Sequence, residues 1–156
     1  MSPSTARAAD RREQQPPSHP VARAHRAAVG WGVVGGVGQA LTPLTFWWLP
    51  AATVYAVGLV LIAAVYIGFA VADGRRHVLA VETAVTGGFV IIAAVAVTGT
   101  PWLLVAGLVG HGLKDVWQHR TGFVANTRWW PPFCASVDFV AALLVALVIT
   151  TGHPLR

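Results

Sequence analysis

One apolar segment in the second half of the chain carries ionisable residues at helical spacing. His111, Asp115 and His119 lie four positions apart. Four residues make slightly more than one helical turn, so the three side chains form a polar stripe along one side of a helix. Imidazole and carboxylate groups bind metals, move protons or hold polar ligands when they lie within a membrane. The stripe is therefore the first candidate for chemistry in this sequence.

Two further acids lie in the neighbouring apolar segments. Glu82 lies about one turn inside the segment before the stripe, and Asp138 lies nearly two turns inside the segment after it. An acid that faces lipid at the centre of a bilayer costs about 2.5–3.5 kcal/mol, and facing other polar groups avoids most of that cost. The five ionisable groups from three helices could therefore converge at similar depth, with His111 deepest.

Three interpretations of this set remain open. In the first, His111 and Asp115 bind a divalent metal such as zinc or iron, with Glu82 or Asp138 as a further ligand. His119 does not share that ion, because two histidines eight positions apart on a helix lie about 12 Å apart along its axis. In the second, the groups hold a polar ligand or relay protons. In the third, they hold the helices in register through hydrogen bonds.

The composition indicates a membrane protein. Of the 156 residues, 55% are hydrophobic and 11% are charged, whereas soluble domains have about 25% charged residues. A positive net charge such as the +5 of this chain is also a feature of proteins that bind nucleic acids. Nearly all of the basic residues, however, lie in the N-terminal tail and between apolar segments, which predicts membrane topology and no nucleic-acid partner. The single cysteine, Cys134, excludes an internal disulfide, and we interpret it as a small buried side chain.

The apolar segments predict an all-α, polytopic membrane bundle of about five transmembrane helices. A spanning helix needs about 20 apolar residues, and the first apolar run is more than twice that long, so Pro43, Pro50 and the tryptophans between them must divide it. Residues 1–26 are predicted to be a disordered Arg/Pro-rich tail, and residues 152–156 a short C-terminal tail. The predicted helices within the bundle of residues 27–151 are 27–43, 51–72, 78–98, 101–119 and 132–151.

The basic residues predict the orientation of this bundle. With a cytoplasmic N-terminus, ten of the eleven Lys and Arg residues fall on the cytoplasmic side and Arg156 falls outside. This asymmetry follows the positive-inside rule. We therefore expect a multi-pass protein of the cell membrane, of the bacterial inner-membrane type, with the lipid bilayer as its main partner.

Small residues predict close packing at two places. Gly32 and Gly36 form a small-xxx-small pattern in the first helix, which either packs within the bundle or joins copies in a homo-oligomer. Gly107, Gly110 and Gly112 surround His111, where they allow close helix packing or leave space for a ligand.

One stretch resembles a known group of proteins. Residues 111–120 read His-Gly-Leu-Lys-Asp-Val-Trp-Gln-His-Arg, and residues 129–134 read Trp-Trp-Pro-Pro-Phe-Cys, with Asp138 following. This pattern resembles small uncharacterised bacterial integral membrane proteins of similar length. The resemblance covers residues 111–138 and implies a membrane protein, but that group has no established activity to carry over.

The sequence therefore predicts a membrane protein with a cytoplasm-facing polar cleft that binds a small polar or ionic ligand or relays protons. Two alternatives remain, which are a metal-dependent membrane enzyme acting on a lipid-like substrate and a structural or accessory membrane subunit. The candidate residues of the cleft are Glu82, His111, Asp115, His119 and Asp138.

Overall fold

The computed structural model describes residues 19–125, 127–152 and 155 and shows an all-helical chain with no strand in these ranges. The all-α prediction is confirmed. The five helices are α1 (His19–Thr45), α2 (Ala51–Asp73), α3 (Arg76–Thr98), α4 (Trp102–Thr121) and α5 (Trp130–Thr150).

The helix ends follow local backbone chemistry. Pro50 precedes α2 because proline has no N–H to continue the helix before it. Gly74 ends α2 with a φ of 79°, and Gly122 ends α4 with a φ of 60°, a left-handed conformation that glycine adopts without steric cost. Pro131 and Pro132 lie in the first turn of α5, where their missing N–H groups leave no hydrogen bond unmade.

Helices α2 to α5 begin and end within two residues of the predicted positions, whereas α1 starts earlier. It begins at His19 instead of residue 27. The reason is the run of alanine and arginine from Ala22 to Ala28, because both residue types favour helix. Residues 1–18 of the predicted disordered tail lie outside the described residues.

The glycine pattern of α1 is used inside the bundle, where α1 packs against α5. A Cβ atom on Gly32 would lie 2.3 Å from the backbone oxygen of Phe133, and one on Gly36 would lie 2.7 Å from that of Val137. Only glycine permits this approach. A homo-oligomer through α1 would therefore have to use its other side, where a Cβ on Gly38 would meet nothing within 4 Å.

The helices run up and down, and the N-terminal part of α1, the α2–α3 turn and the α4–α5 loop meet at one end of the bundle. The His25 ring of α1 stacks on the His119 ring of α4, with centroids 5.4 Å apart. The Ala125 N–H, in the α4–α5 loop, donates to Oδ2 of Asp73 at 2.7 Å. We call this the basic end, because it holds the arginines of the α2–α3 turn and of the α4–α5 loop. At the opposite end, the Ala52 N–H donates to the Leu155 oxygen.

The exterior of the bundle fits a membrane environment. Three helices, α2, α3 and α5, are long and apolar enough to cross a membrane. Large apolar side chains point outward along them, including Leu61, Ile91 and Leu143, each at least 60% exposed. Soluble monomers rarely carry apolar surface on this scale.

Candidate functional site

Two pairs of potential ligands, one on α4 and one on α5, face each other across the interface between these helices. His111 and Asp115 lie four positions apart on α4, and Cys134 and Asp138 lie four positions apart on α5. One nitrogen, sulfur or oxygen atom from each of the four residues lies within 4.8 Å of all the others. All four side chains are buried, and three of them have no exposed surface. We call these four residues the α4–α5 cluster.

His111 is at the centre of this cluster. Its Nδ1 atom lies 2.8 Å from Oδ2 of Asp138 and 3.7 Å from Oδ2 of Asp115. The edges of two aromatic rings hold the imidazole in place, with centroid distances of 5.0 Å to Phe89 and 5.9 Å to Tyr66. One imidazole nitrogen therefore faces both aspartates, which joins α4 to α5.

The cluster leaves several buried polar atoms without a hydrogen bond. In the described part of the chain, neither carboxylate oxygen of Asp115 has a hydrogen bond of good geometry, and Oδ1 of Asp138, Nε2 of His111 and the Tyr66 hydroxyl are also unpaired. The Tyr66 phenol and the Cys134 thiol lie beside Asp115. Leaving a charged acceptor buried and unpaired costs at least about 1–3 kcal/mol. These unpaired atoms are acceptors that a buried site normally supplies with a partner.

Gly112 allows α4 and α5 to approach at this point. A Cβ atom there would lie 2.9 Å from the Phe139 ring and 3.3 Å from Cβ of Asp138. A larger residue would push the two helices apart and separate His111 from Asp138. Of the two predicted uses of this glycine, the structure therefore shows close helix packing.

A second polar network adjoins the cluster. Nζ of Lys114 lies 2.8 Å from Oε2 of Glu82, and it also lies 3.5 Å from the centroid of the Tyr66 ring. The Gln118 side-chain amide donates to the other Glu82 oxygen. Glu82 is therefore paired with Lys114 and Gln118 instead of lying with the aspartates, and Lys114 points into the bundle. We call this the Glu82 network.

His119 is not brought into the cluster. Its side chain is exposed at the basic end and stacks on His25. It lies two turns from His111, and 100° per residue rotates it about 80° away around the helix axis. Of the predicted stripe, only His111 and Asp115 therefore belong to the buried site.

A groove at the basic end leads towards the Glu82 network. Its volume is about 490 Å³, and its lining includes Gln118, His119, Thr127 and Arg128. Gln118 belongs to both the groove and the Glu82 network, so it links the surface to the buried polar groups. The loop beside the groove is held by Arg75, which donates to the Phe123 oxygen at 2.7 Å. Its hydrogen bonds with Asp73 raise the pKa of Arg75.

The residue that sequence reasoning missed is Cys134. It is buried as predicted, but it lies inside the site. A signal was present, because Cys134 and Asp138 repeat the four-residue spacing of His111 and Asp115. That spacing places both side chains on one side of α5.

The chain was compared with protein-family models, with curated proteins and with solved structures. None of the three comparisons found a match.

Proposed function

We propose that this chain is an integral membrane protein that crosses the bilayer five times, with a cytoplasmic N-terminus, and binds a small cation in the α4–α5 cluster. The observation that carries the proposal is the group of unpaired acceptor atoms on Asp115 and Asp138 around one imidazole, all without exposed surface. A bound cation supplies the positive charge that these buried oxygens require.

The five-span topology rests on length and on the arrangement of charge. At 1.5 Å per residue, the 20 residues of α4 reach about 30 Å, which matches the hydrocarbon core of a bilayer. Its acidic and imidazole side chains at Asp115 and His111 face inward, while Leu113 and Trp117 face outward. The α2–α3 turn and the α4–α5 loop carry their arginines to the same end, as the positive-inside rule requires of cytoplasmic segments.

Thiol labelling in intact cells tests this topology with two matched substitutions. Thr121→Cys lies at the basic end and Thr100→Cys at the opposite end, and both positions are exposed. The native Cys134 is 2% exposed and serves as an unlabelled control. A membrane-impermeant maleimide should label Thr100→Cys directly and Thr121→Cys only after permeabilisation. The reverse pattern, or direct labelling of both, would overturn the proposed topology.

The charges of the site favour a cation. His111 is the basic side chain that contacts both aspartates, whereas Lys114 is paired with Glu82. Two buried carboxylates therefore share one imidazole. A small cation bound between them would give both carboxylates a positively charged partner.

Two alternatives from the sequence receive less support from the geometry. A transmembrane proton relay requires polar groups that continue to the opposite end, but beyond His111 the core contains Leu104, Leu108 and Val145, each at most 1% exposed. An enzyme for lipid-like substrates requires a lateral opening, and the side chains of His111, Asp115 and Asp138 have no exposed surface. The structural alternative makes a different prediction, which the following experiment tests.

Thermal unfolding of the full chain in detergent distinguishes cation binding from a structural role. The purified protein, stripped with a chelator, is heated with sodium, potassium, magnesium, calcium, manganese or zinc. At least one cation should raise the Tm of the parent but not that of Asp138→Asn. Asp73→Asn, a matched carboxylate-to-amide change outside the site, should keep the response. If no cation in the panel raises the parent Tm, the cation proposal is wrong and the structural alternative replaces it.

A further inference from the structure

We infer that the cation is a single transition-metal ion of the zinc(II) class, held by His111, Asp115, Asp138 and the Cys134 thiolate. This inference rests on the proposed cation site and deepens it. It assigns to Cys134 a role as a metal ligand, and of the two further ligands that the sequence left open it selects Asp138 instead of Glu82.

The distances within the cluster match a tetrahedral site. Zinc bonds of about 2.0–2.2 Å to nitrogen and oxygen, and about 2.3 Å to sulfur, place neighbouring ligand atoms about 3.3–3.7 Å apart. Of the two His111–aspartate distances, 2.8 Å is shorter than this range and 3.7 Å is at its upper limit. All four ligand atoms lie within 4.8 Å of one another. The ligand atoms are therefore close enough for one ion to be shared by all four residues.

The ligand types select the class of metal. Calcium and magnesium bind six or more oxygen atoms, many of them from water or backbone carbonyls. This cluster offers two carboxylates, one imidazole and one thiol in a buried space. Mixed nitrogen, sulfur and oxygen ligands in a set of four are typical of zinc and of first-row transition metals that accept the same geometry. The thiol in particular argues against sodium, potassium, magnesium and calcium.

The two helices supply the ligands in matching pairs. His111 and Asp115 extend from one side of α4, and Cys134 and Asp138 extend from the facing side of α5. Binding would therefore fasten the two helices to each other at the point where Gly112 allows them to approach. Four protein ligands leave no open position for a reacting water, so this arrangement is of the structural or storage type rather than the hydrolytic type.

Binding changes the protonation of Cys134. The metal–sulfur bond forms as the S–H bond breaks, and the thiol proton leaves to solvent. The sulfur keeps its electron pair and donates it to the metal, so no oxidant or reductant is needed. Charge-transfer absorption from thiolate to metal is thus a direct signature of this inference.

Cobalt(II) titration of the full-length, chelator-stripped protein in detergent provides the first test. The parent should bind one cobalt per chain, show visible bands of tetrahedral intensity and show a near-ultraviolet thiolate charge-transfer band that zinc abolishes. In Cys134→Ser the charge-transfer band should be lost and the affinity should fall by at least about 100-fold, because even outer-shell changes cost about 10–100-fold. Tight cobalt binding without the thiolate band would overturn the role of Cys134.

X-ray absorption on the zinc-loaded parent needs no variant and covers the case in which Cys134→Ser does not fold. We expect one sulfur scatterer at about 2.3 Å and nitrogen or oxygen scatterers at about 2.0–2.2 Å. A shell of nitrogen and oxygen alone would overturn the inference.

The cation panel separates this inference from the proposed function. If sodium, potassium, magnesium or calcium stabilises the parent and zinc and manganese do not, the cation site stands and the transition-metal inference fails. If no cation binds, both fail.

Discussion

His111 on α4 and Asp138 on α5 lie 2.8 Å apart, from Nδ1 to Oδ2, although 27 residues separate them in the chain. Neither side chain has exposed surface. Because Asp115 lies on the same side of α4, this contact brings two carboxylates to one imidazole. The His111–Asp138 contact therefore joins the His111–Asp115 pair on α4 and the Cys134–Asp138 pair on α5 into one site.

Removing the proposed metal ion should lower the stability of the parent protein. A ligand at about 100 times its Kd stabilises the folded state by about 2.7 kcal/mol, so adding a chelator to zinc-loaded protein should lower the Tm by several degrees. Differential scanning fluorimetry in detergent measures the change. Asp115→Asn should unfold at the same temperature with and without chelator, and an equal chelator effect in both proteins would contradict the assignment of Asp115.

The Glu82–Lys114 pair should act as a unit in folding stability. Glu82 is 1% exposed and the Lys114 side chain 12% exposed, so removing one partner leaves a buried charge and costs about 3–5 kcal/mol. Glu82→Gln and Lys114→Met should each destabilise strongly, whereas the double variant should lose clearly less than the sum. Unfolding measurements on the four proteins give the coupling free energy. Additive losses would show that the two charges do not interact.

Gly112→Ala should disturb the site through the helix separation. The added methyl group overlaps the Phe139 ring and the Asp138 Cβ, and overpacking of this kind costs about 1–3 kcal/mol. Metal affinity should fall with stability, because α5 carries two of the four proposed ligands. Gly110→Ala is the matched control, since its Cβ meets only the Phe89 ring at an ordinary 3.9 Å. Equal cobalt affinity in both variants would contradict the role of Gly112.

Alanine at two glycines of α1 should have opposite effects on stability. Gly36→Ala forces a Cβ against the Val137 carbonyl on α5 and should destabilise the bundle by about 1–3 kcal/mol. Gly38→Ala faces open space and should be neutral or stabilise by up to about 1 kcal/mol, because alanine favours helix. Thermal unfolding in detergent provides the comparison. A larger loss at Gly38 would mean that the other side of α1 is the packed one.

Local chemistry accounts for what could be predicted about the fold. Pro50 comes before a helix because proline has no backbone N–H. Gly74 and Gly122 end helices because glycine, which has no Cβ, adopts a positive φ. Neither effect depends on distant residues. His111 and Asp115 could be paired in advance for the same reason, since four positions on a helix always share one side. The early start of α1 also follows from local propensity, although the apolar pattern alone did not reveal it.

The partners of these residues depend on how each helix is rotated about its own axis. Glu82 and Asp138 lie at comparable depths in their helices, yet Lys114 pairs with Glu82 while Asp138 meets His111. Cys134 enters the site because α5 presents that side to α4. His119 stays outside because its helix turns it towards the surface.

The sequence by itself therefore determined the helices, their order and the His111–Asp115 pair, because these depend on hydrophobic length, on proline and glycine, and on a fixed helical repeat. Only the tertiary structure decided that Cys134 and Asp138 complete the cluster and that Glu82 and His119 do not. The physical reason is that helix rotation and separation are set by packing between distant residues, such as Gly112 against Phe139. No local pattern encodes that contact.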